Sequence, residues 1–345
     1  MKKSNTHNKQ QIGLRAFKAY YSKQFGEERW NSLYKSLHLP KKHSCLLNKY
    51  STIVTNNQDL GLPADAKQVE FLTLPCLSCD EEISHPSRDD SNLVLNYYVL
   101  DAASVMAIEA LDIQQKDNVL DLCAAPGGKS IAIMQKLSLV EGTLQCNELD
   151  SARNAKLKRI ITEYVPFAYQ SKVNVTRKSG SLVFNFPNNF YNKILVDAPC
   201  SSDRHLVQNA DEMAKWKPKL TETLALTQLS LLVCAMEKVK VGGTIVYATC
   251  SISDAENDGV IEKALANKRG ASCVVVTNER EYGIGEPTKH GWIVLPDDKK
   301  EQGWGPLFFC VLRRIESAVK EDEFNDSSSD EEEEGVQSDD SEENK

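Results

Sequence analysis

Several features are missing from this chain, and each gap narrows what it can be. No apolar run approaches the ~18 residues that a membrane helix requires, so the chain is expected to work without a membrane. No secretory leader is visible, and the ten cysteines are therefore expected to stay reduced. No segment repeats. Acidic residues are absent from the first 26 positions: Lys2, Lys3, Lys9, Arg15, Lys18 and Lys23 all precede Glu27. A basic, acid-free start fits a mitochondrial leader; with arginine so sparse, a frayed basic tail fits as well. Two nucleotide signatures are missing too. There is no G-x-G-x-x-G. Gly128-Lys129-Ser130 ends like a phosphate-binding loop, but that pattern needs glycine at position 123, where Cys123 stands.

What is present begins with size and charge. The 345 residues suit one large domain or two small ones, and an apolar fraction of 41% supplies a sizeable core. The net charge of −8 is gathered at one end. Residues 321–345 hold 13 acids and one lysine; without them, 41 basic and 49 acidic residues become 40 and 36. The body is mildly basic, which is compatible with RNA binding and proves nothing by itself. The acidic, serine-rich end cannot bury enough apolar surface to order itself, so a disordered tail is expected over 317–345. Cys76-Leu-Ser-Cys79 has metal-ligand spacing but no second pair, with only His85 nearby. Partly buried thiols are the plainer reading, and no metal is expected.

Residues 1–50 read as helical. Phe17, Tyr20, Tyr21, Phe25, Trp30, Leu33, Tyr34 and Leu37 recur three to five apart until Pro40 and Lys41-Lys42-His43 break the pattern. These aromatics are expected to pack on the main domain; the rival reading is an RNA-contacting face of interleaved aromatics and bases. Residues 56–90 read as an irregular link with one short strand at Val69–Leu74. Together they make an N-terminal helical extension and linker over 1–90.

A domain over 91–316 follows. Leu95–Leu100 is strand-like, and Asp101 can cap a helix from Ala102 to about Leu111. Strands are predicted near Leu120, at Thr143–Asn147, Lys172–Thr176, Lys193–Val196 and Thr244–Ala248. Helices fall at Ser151–Tyr164, Thr221–Val239 and Glu256–Ala266. This alternation implies a parallel sheet with both faces covered. Gly291–Leu295 and Pro306–Leu312 read as a closing antiparallel hairpin.

The stretch from Asn118 to Ser130 organises the domain. An apolar run, a small-residue turn and helical spacing at Ile131, Met134 and Leu137 give strand, glycine turn, helix. Such a turn lets backbone N–H groups approach a ligand closely. With the phosphate-binding patterns gone, an adenosine cofactor without a phosphate group fits, and S-adenosylmethionine is the common one. In an open parallel sheet, ligands sit beyond the carboxyl ends of the strands. Cys123, Glu148, Asp197-Ala-Pro-Cys200 and Thr249-Cys250-Ser251 all stand at such ends. Two cysteines, each just past an apolar strand, are hard to dismiss as inert small hydrophobes.

Leu-Asp-Leu-Cys-Ala-Ala-Pro-Gly-Gly-Lys-Ser, ending at Ser130, resembles the cofactor motif of the Nop/Sun family of RNA 5-methylcytosine methyltransferases. Asp197-Ala-Pro-Cys200-Ser201 and Ala248-Thr-Cys250-Ser251 resemble two further motifs of that family. The resemblance spans about Leu95 to Arg314. It implies an α/β, Rossmann-like S-adenosylmethionine-dependent methyltransferase with a mostly parallel seven-stranded sheet. It also implies Cys250 as the nucleophile toward cytosine C6, Cys200 as the aid to product release, and Asp197 as a contact to both base and cofactor. The cofactor would meet the loop Cys123, Ala124, Ala125, Pro126, Gly127, Gly128 and Lys129, together with Glu148, Arg153, Asp197 and the pair Ser179-Gly180. At that pair the family usually has Asp-Gly; serine keeps one hydrogen bond and brings no charge.

The chemistry suits those residue types. Cytosine C5 is a poor nucleophile until a thiolate adds at C6, and a carboxyl group near N3 helps as electrons move there. Asp203-Arg204-His205, Tyr20-Tyr-Ser-Lys-Gln-Phe-Gly26 and Gly303-Trp-Gly-Pro306 resemble the mitochondrial branch. That branch implies RNA as partner, small-subunit ribosomal RNA ahead of transfer RNA, and a transcription-termination-factor-like protein beside it. The acidic tail leaves the nucleolus or cytoplasm open as locations. A ribosome-assembly scaffold that kept the fold is the non-enzymatic alternative.

Overall fold

The computed structural model describes residues 2–52, 59–178, 186–267 and 272–315. The acidic tail and its expected disorder lie outside them. The chain opens with helices α1 (Lys2–Phe25) and α2 (Glu27–His38). Gly26 divides them at φ +78°, a left-handed conformation that glycine adopts without strain. α2 starts with Glu27 and Glu28 and ends with Lys35 and His38, charges that suit the helix dipole. The aromatic spacing faces inward. Phe17 and Tyr21 are fully buried, and Trp30 nearly so. They cluster with Trp216 of the main domain, ring centroids 4.7 Å (Phe17–Tyr21) and 5.0 Å (Phe17–Trp216) apart. Removing one such buried ring costs about 3–5 kcal/mol, so the extension is fastened to the body.

A small antiparallel sheet follows, in the order β2-β3-β1-β4. Its strands are β1 (Ser44–Leu47), β2 (Lys67–Gln68), β3 (Cys76–Ser78) and β4 (Tyr97–Leu100). β1 falls inside the span predicted to be helical. Four residues are too few for periodicity to tell strand from helix. The strand predicted at Val69–Leu74 is instead a loop between β2 and β3. The Gln68 amide donates to the carbonyls of Val69, Leu72 and Leu74, which therefore need no neighbouring strand. Asp101 caps α3 (Ala102–Ala110), its carboxylate accepting the Ala103 N–H at 2.9 Å.

The main sheet has five parallel strands at its centre: β5 (Asn118–Asp121), β6 (Thr143–Asn147), β7 (Val173–Thr176), β8 (Tyr191–Asp197) and β9 (Val239–Thr249). β10 (Cys273–Val275), β11 (Glu286–Pro287), β12 (Trp292–Val294) and β13 (Leu307–Arg314) complete it. The order is β11-β12-β13-β9-β8-β5-β6-β7, with β10 beside β13. β13 runs antiparallel between β9 and β12, as the predicted hairpin requires. Among the described residues, nine strands stand where seven were expected, because β10 and β11 are edge pieces of three and two residues with no pattern of their own.

Alternate residues feed opposite cores. Val119, Leu195, Val246 and Phe309 face the layer of α3, α4 (Gly128–Lys136) and α5 (Ser151–Tyr164). Leu120, Ile194, Val196, Tyr247 and Phe308 face the other core, which also holds the N-terminal aromatics. That second layer contains α6 (Asp203–Gln208), α7 (Ala210–Met213), α8 (Pro218–Lys238) and α9 (Asp258–Ala266). By length and composition α8 is apolar enough to cross a membrane, contrary to the expectation from sequence. It packs instead against β8, β9 and α9, burying Ala225, Leu232 and Ala235. The chain leaves β5 toward β6 and β7, then returns to β8 on the other side of β5. That reversal opens a crevice at the carboxyl ends of β5 and β8.

Candidate active site

The loop after β5 lies at this crevice. Its backbone is tied to both neighbours: Leu122 N–H donates to Leu195 O (2.9 Å) and Ala124 N–H to Asn147 O (2.8 Å). Gly127 enters α4 at φ +125°. A Cβ there would lie 2.9 Å from Ile160 Cγ2, so close packing of α5 demands glycine. Beyond β6, Glu148 is buried and its Oε1 accepts the Asp150 N–H (2.9 Å). Asp150 itself caps α5 by accepting the Arg153 N–H at 2.8 Å, so Glu148 is not needed as the cap. Arg153 spans the loop: one Nη donates to Ala125 O (2.6 Å), and the other lies 3.5 Å from Glu148 Oε2. Ser179 and Gly180 lie outside the described residues.

At the end of β8, Asp197 accepts a hydrogen bond from Lys129 Nζ at 2.7 Å. Burial works against the charge on Lys129, but Asp197 outweighs it, so the lysine is held protonated above its ordinary range. Beneath them, burial pushes Asp121 up to about 7, against a hydrogen bond from Ser130 Oγ to its Oδ2 (2.6 Å). Its Oδ1 has no partner among the described residues.

The two cysteines meet. Cys200 Sγ and Cys250 Sγ are 3.0 Å apart, and the Cys250 N–H donates to Cys200 Sγ at 3.3 Å. Ser202 Oγ lies 3.4 Å from Cys250 Sγ. The hydrogen bond from the Cys200 thiol is the main influence drawing Cys250 below its ordinary value; burial opposes it, and Ser202 and Lys129 assist. The same bond, with burial, holds Cys200 well above its own. Of the two, Cys250 is the more readily deprotonated and Cys200 the less. Cys123, by contrast, is held a thiol by burial and by the carboxylates around it. Cys250 is exposed and opens onto a cavity of about 420 Å³. Lys41, His43, Val99, Asp101 and Pro306 line it. That volume falls among small-molecule sites, roughly 300–1,000 Å³.

The described residues of the predicted site thus stand at the carboxyl ends of β5, β6, β8 and β9, with Ser179 and Gly180 outside the described residues. Asp121, Lys41 and His43 were not foreseen. A carboxylate within the apolar run of β5 was a legible signal for Asp121; the cavity wall from Lys41 to His43 had none. Cys76 is buried in the small sheet, and the Cys79 thiol donates to Glu81 O at 3.4 Å. Among the described residues, no group of three His, Cys, Asp or Glu side chains could hold a metal.

Known proteins resemble this chain in sequence and in fold. Residues 108–311 match the family described as 16S rRNA methyltransferase RsmB/F. A mitochondrial tRNA (cytosine(34)-C(5))-methyltransferase of Danio rerio is 34% identical over 329 residues, covering 88% of this chain and 87% of its own. The 5-cytosine rRNA methyltransferase NSUN4 of Xenopus tropicalis is 37% identical over 244 residues, covering 67% and 59%, so the match spans under two thirds of that relative. Bos taurus NSUN4 is 29% identical over 346 residues, covering 88% and 89%. NSun6 from Pyrococcus horikoshii, solved with SFG, shares the fold at a TM-score of 0.69 and 18% identity, covering 87% of this chain and 98% of its own. The fold is that of S-adenosylmethionine-dependent methyltransferases. The chain belongs to the RsmB/F, or Nop/Sun, family of RNA methyltransferases, on its mitochondrial branch.

Proposed function

We propose that this protein is an RNA (cytosine-5-)-methyltransferase that uses S-adenosylmethionine and acts on mitochondrial small-subunit ribosomal RNA through a bond between Cys250 and cytosine C6. One observation carries the reading: two cysteine sulfurs lie 3.0 Å apart just past the carboxyl ends of β8 and β9, and Cys250 opens onto a cavity of about 420 Å³. The residues fit the cofactor. Glu148 keeps lone pairs free for vicinal hydroxyls, the loop Cys123–Gly127 is small, and Asp197 stands between loop and thiols. A fold relative solved with SFG, an analogue of S-adenosylmethionine, supports the same choice. When bound, the cofactor supplies an electrophilic methyl group.

The chain's own residues do the rest. The target base leaves its stack to enter the cavity. The Cys250 thiolate bonds to C6, which makes C5 nucleophilic. Asp197, paired with Lys129, accepts a hydrogen bond from the amino group on C4 of the base, and the Lys129 ammonium offsets the charge that collects on the ring. After C5 is methylated it gives up its proton to a base. The C6–S bond then breaks, and its electron pair returns to Cys250. Cys200, in contact with the departing sulfur, assists that release. Ribosomal RNA as substrate is supported by likeness to the NSUN4 relatives and a mitochondrial location by likeness to the mitochondrial relative of Danio rerio; a transcription-termination-factor-like partner rests on the sequence resemblance alone.

Transfer RNA is the second reading. It is favoured by the Danio rerio relative, which this chain covers over 87% of its length. Bisulfite sequencing of ribosomal and transfer RNA, with and without the gene, tests both. Loss of a methylated cytosine in mitochondrial small-subunit ribosomal RNA is expected. Loss only in a transfer RNA supports the second reading, and no loss in either overturns the activity.

A further inference from the structure

Three stretches that the catalytic reading leaves without a task are linked. They are Tyr20–Gly26 and Gly303–Pro306, joined through Asp203–His205, where Asp203 takes the first and Arg204 the second. The Tyr21 hydroxyl donates to Asp203 Oδ1 at 2.7 Å, across 182 residues of sequence. The other oxygen of that carboxylate reaches both cysteine loops. Asp203 Oδ2 accepts from Ser201 Oγ (2.9 Å), Ser251 Oγ (3.0 Å) and Ile252 N–H (2.9 Å). Ser201 follows Cys200 directly, and Ser251 follows Cys250. The two serine hydroxyls also touch each other at 3.0 Å. A second buried carboxyl closes the group from the far side: Glu256 Oε2 accepts the Ser201 N–H (3.0 Å), and its Oε1 lies 3.0 Å from Ser251 Oγ.

Proton counting shows how tightly this group is specified. Four contacts join Ser201 Oγ, Ser251 Oγ, Asp203 Oδ2 and Glu256 Oε1, and two hydroxyl protons serve only two of them. A proton on Glu256 would serve a third, and burial raises that carboxyl above its ordinary value. Tyr21, Asp203, Ser251 and Glu256 are all fully buried. Between the serines and Asp203, Ser202 sits at φ +54°, a strained conformation for a residue with a Cβ. Such strain persists where the surroundings over-determine it, and the four bonds to Asp203 do so. The helix adds two further props to the Cys250 loop: Tyr20 OH lies 3.2 Å from Ser253 Oγ, and Gln24 Nε2 donates to Ile252 O at 2.7 Å.

We propose that Tyr21 and Asp203 are positioning residues for methyl transfer: through them, the N-terminal helix sets the spacing of the Cys200 and Cys250 sulfurs. The extension is then a working part of the site. The inference rests on the catalytic role of the two cysteines proposed above, and its test separates the two ideas.

The variant Y21F keeps the ring in its aromatic cluster and removes only the hydroxyl. S251A cuts the same link from inside the loop. Two readouts on the full chain are needed. The first is the pH profile of Cys250 alkylation by iodoacetamide without RNA, followed by mass spectrometry of its peptide. The second is transfer of tritiated methyl from S-adenosylmethionine to total RNA of cells lacking the gene. Loosened loops weaken the hydrogen bonds from Cys200 and Ser202 that draw Cys250 below its ordinary value. The alkylation midpoint is therefore expected to rise by about one pH unit, and kcat to fall roughly tenfold with KM for RNA unchanged, the equivalent of one charged hydrogen bond. Wild-type alkylation and kcat in both variants, even with a lowered melting temperature, overturns the positioning role. Should C250A remain active while Y21F shifts the alkylation profile, the brace stands and the catalytic reading falls.

Discussion

Arg204 offers the sharpest test of how the extension is joined to the site. Its side chain is 2% exposed and donates to four main-chain carbonyls. Nη1 reaches Gly303 O and Gly305 O, while Nη2 reaches Leu39 O (3.2 Å) and Pro40 O (2.9 Å). Consider Arg204→Met, which keeps the bulk and removes the donors. Replacing a buried ion by an apolar group is often neutral when its partners go too. Here the partners are backbone and stay. Leu39 O keeps a bond from Gln208 Nε2 (3.1 Å), and Gly303 O keeps one from Lys42 N–H (3.5 Å). Gly305 O and Pro40 O have no second donor among the described residues. Gly305 O is buried, so orphaning it costs about 1–3 kcal/mol, whereas Pro40 O, on an exposed residue, can turn to water; the loss is ~2 kcal/mol. Urea unfolding should show a lower midpoint with an unchanged slope. Methyl transfer should fall as well, because Lys41 and His43, just after these carbonyls, line the Cys250 cavity. A loss under about 1 kcal/mol would refute the reasoning.

Two further outcomes follow from the site. Asp121 has a folded-state pKa raised to about 7, from an ordinary ~3.9. A raised value means stability that is full below the ordinary pKa and lost as pH rises through the folded one; the shift amounts to at most ~4 kcal/mol. Asp121→Asn should therefore be more stable than wild type at pH 8 and lose that advantage toward pH 4; parallel urea midpoints at both pH values would contradict this. Gly127→Ala forces a Cβ onto Ile160 at φ +125°, which should cost about 2 kcal/mol and lower the melting temperature by several degrees; a melting temperature unchanged from wild type would contradict it.

Much of the fold was legible because local rules and tertiary demands agree there. The strand Thr143–Asn147 and the helix Ser151–Tyr164 were readable to the residue, since Asp150 caps the helix and small polar residues frame the strand. Cys200 and Cys250 were legible as site residues because each directly follows an apolar strand, and strand ends are where such sheets bind ligands. Pieces of two to four residues, such as β1, β10 and β11, carry no usable period. The Lys129–Asp197 pair was half legible: both residues were picked out, but not their bond, which spans 68 residues. The Tyr21–Asp203 link and the four carbonyls around Arg204 were not legible at all. Their partners come from opposite ends of the chain, and no local pattern announces a contact that only the completed fold creates.

Trapping on a denaturing gel bears most directly on the central claim, a bond between Cys250 and the base. The full chain carrying Cys200→Ala, given S-adenosylmethionine and total RNA from cells lacking the gene, should accumulate a slow-migrating protein–RNA band. That band should be absent when Cys250→Ala is added, and Cys250→Ala alone should transfer no methyl groups. Methylation by Cys250→Ala, or normal turnover by Cys200→Ala without a trapped band, would contradict the account.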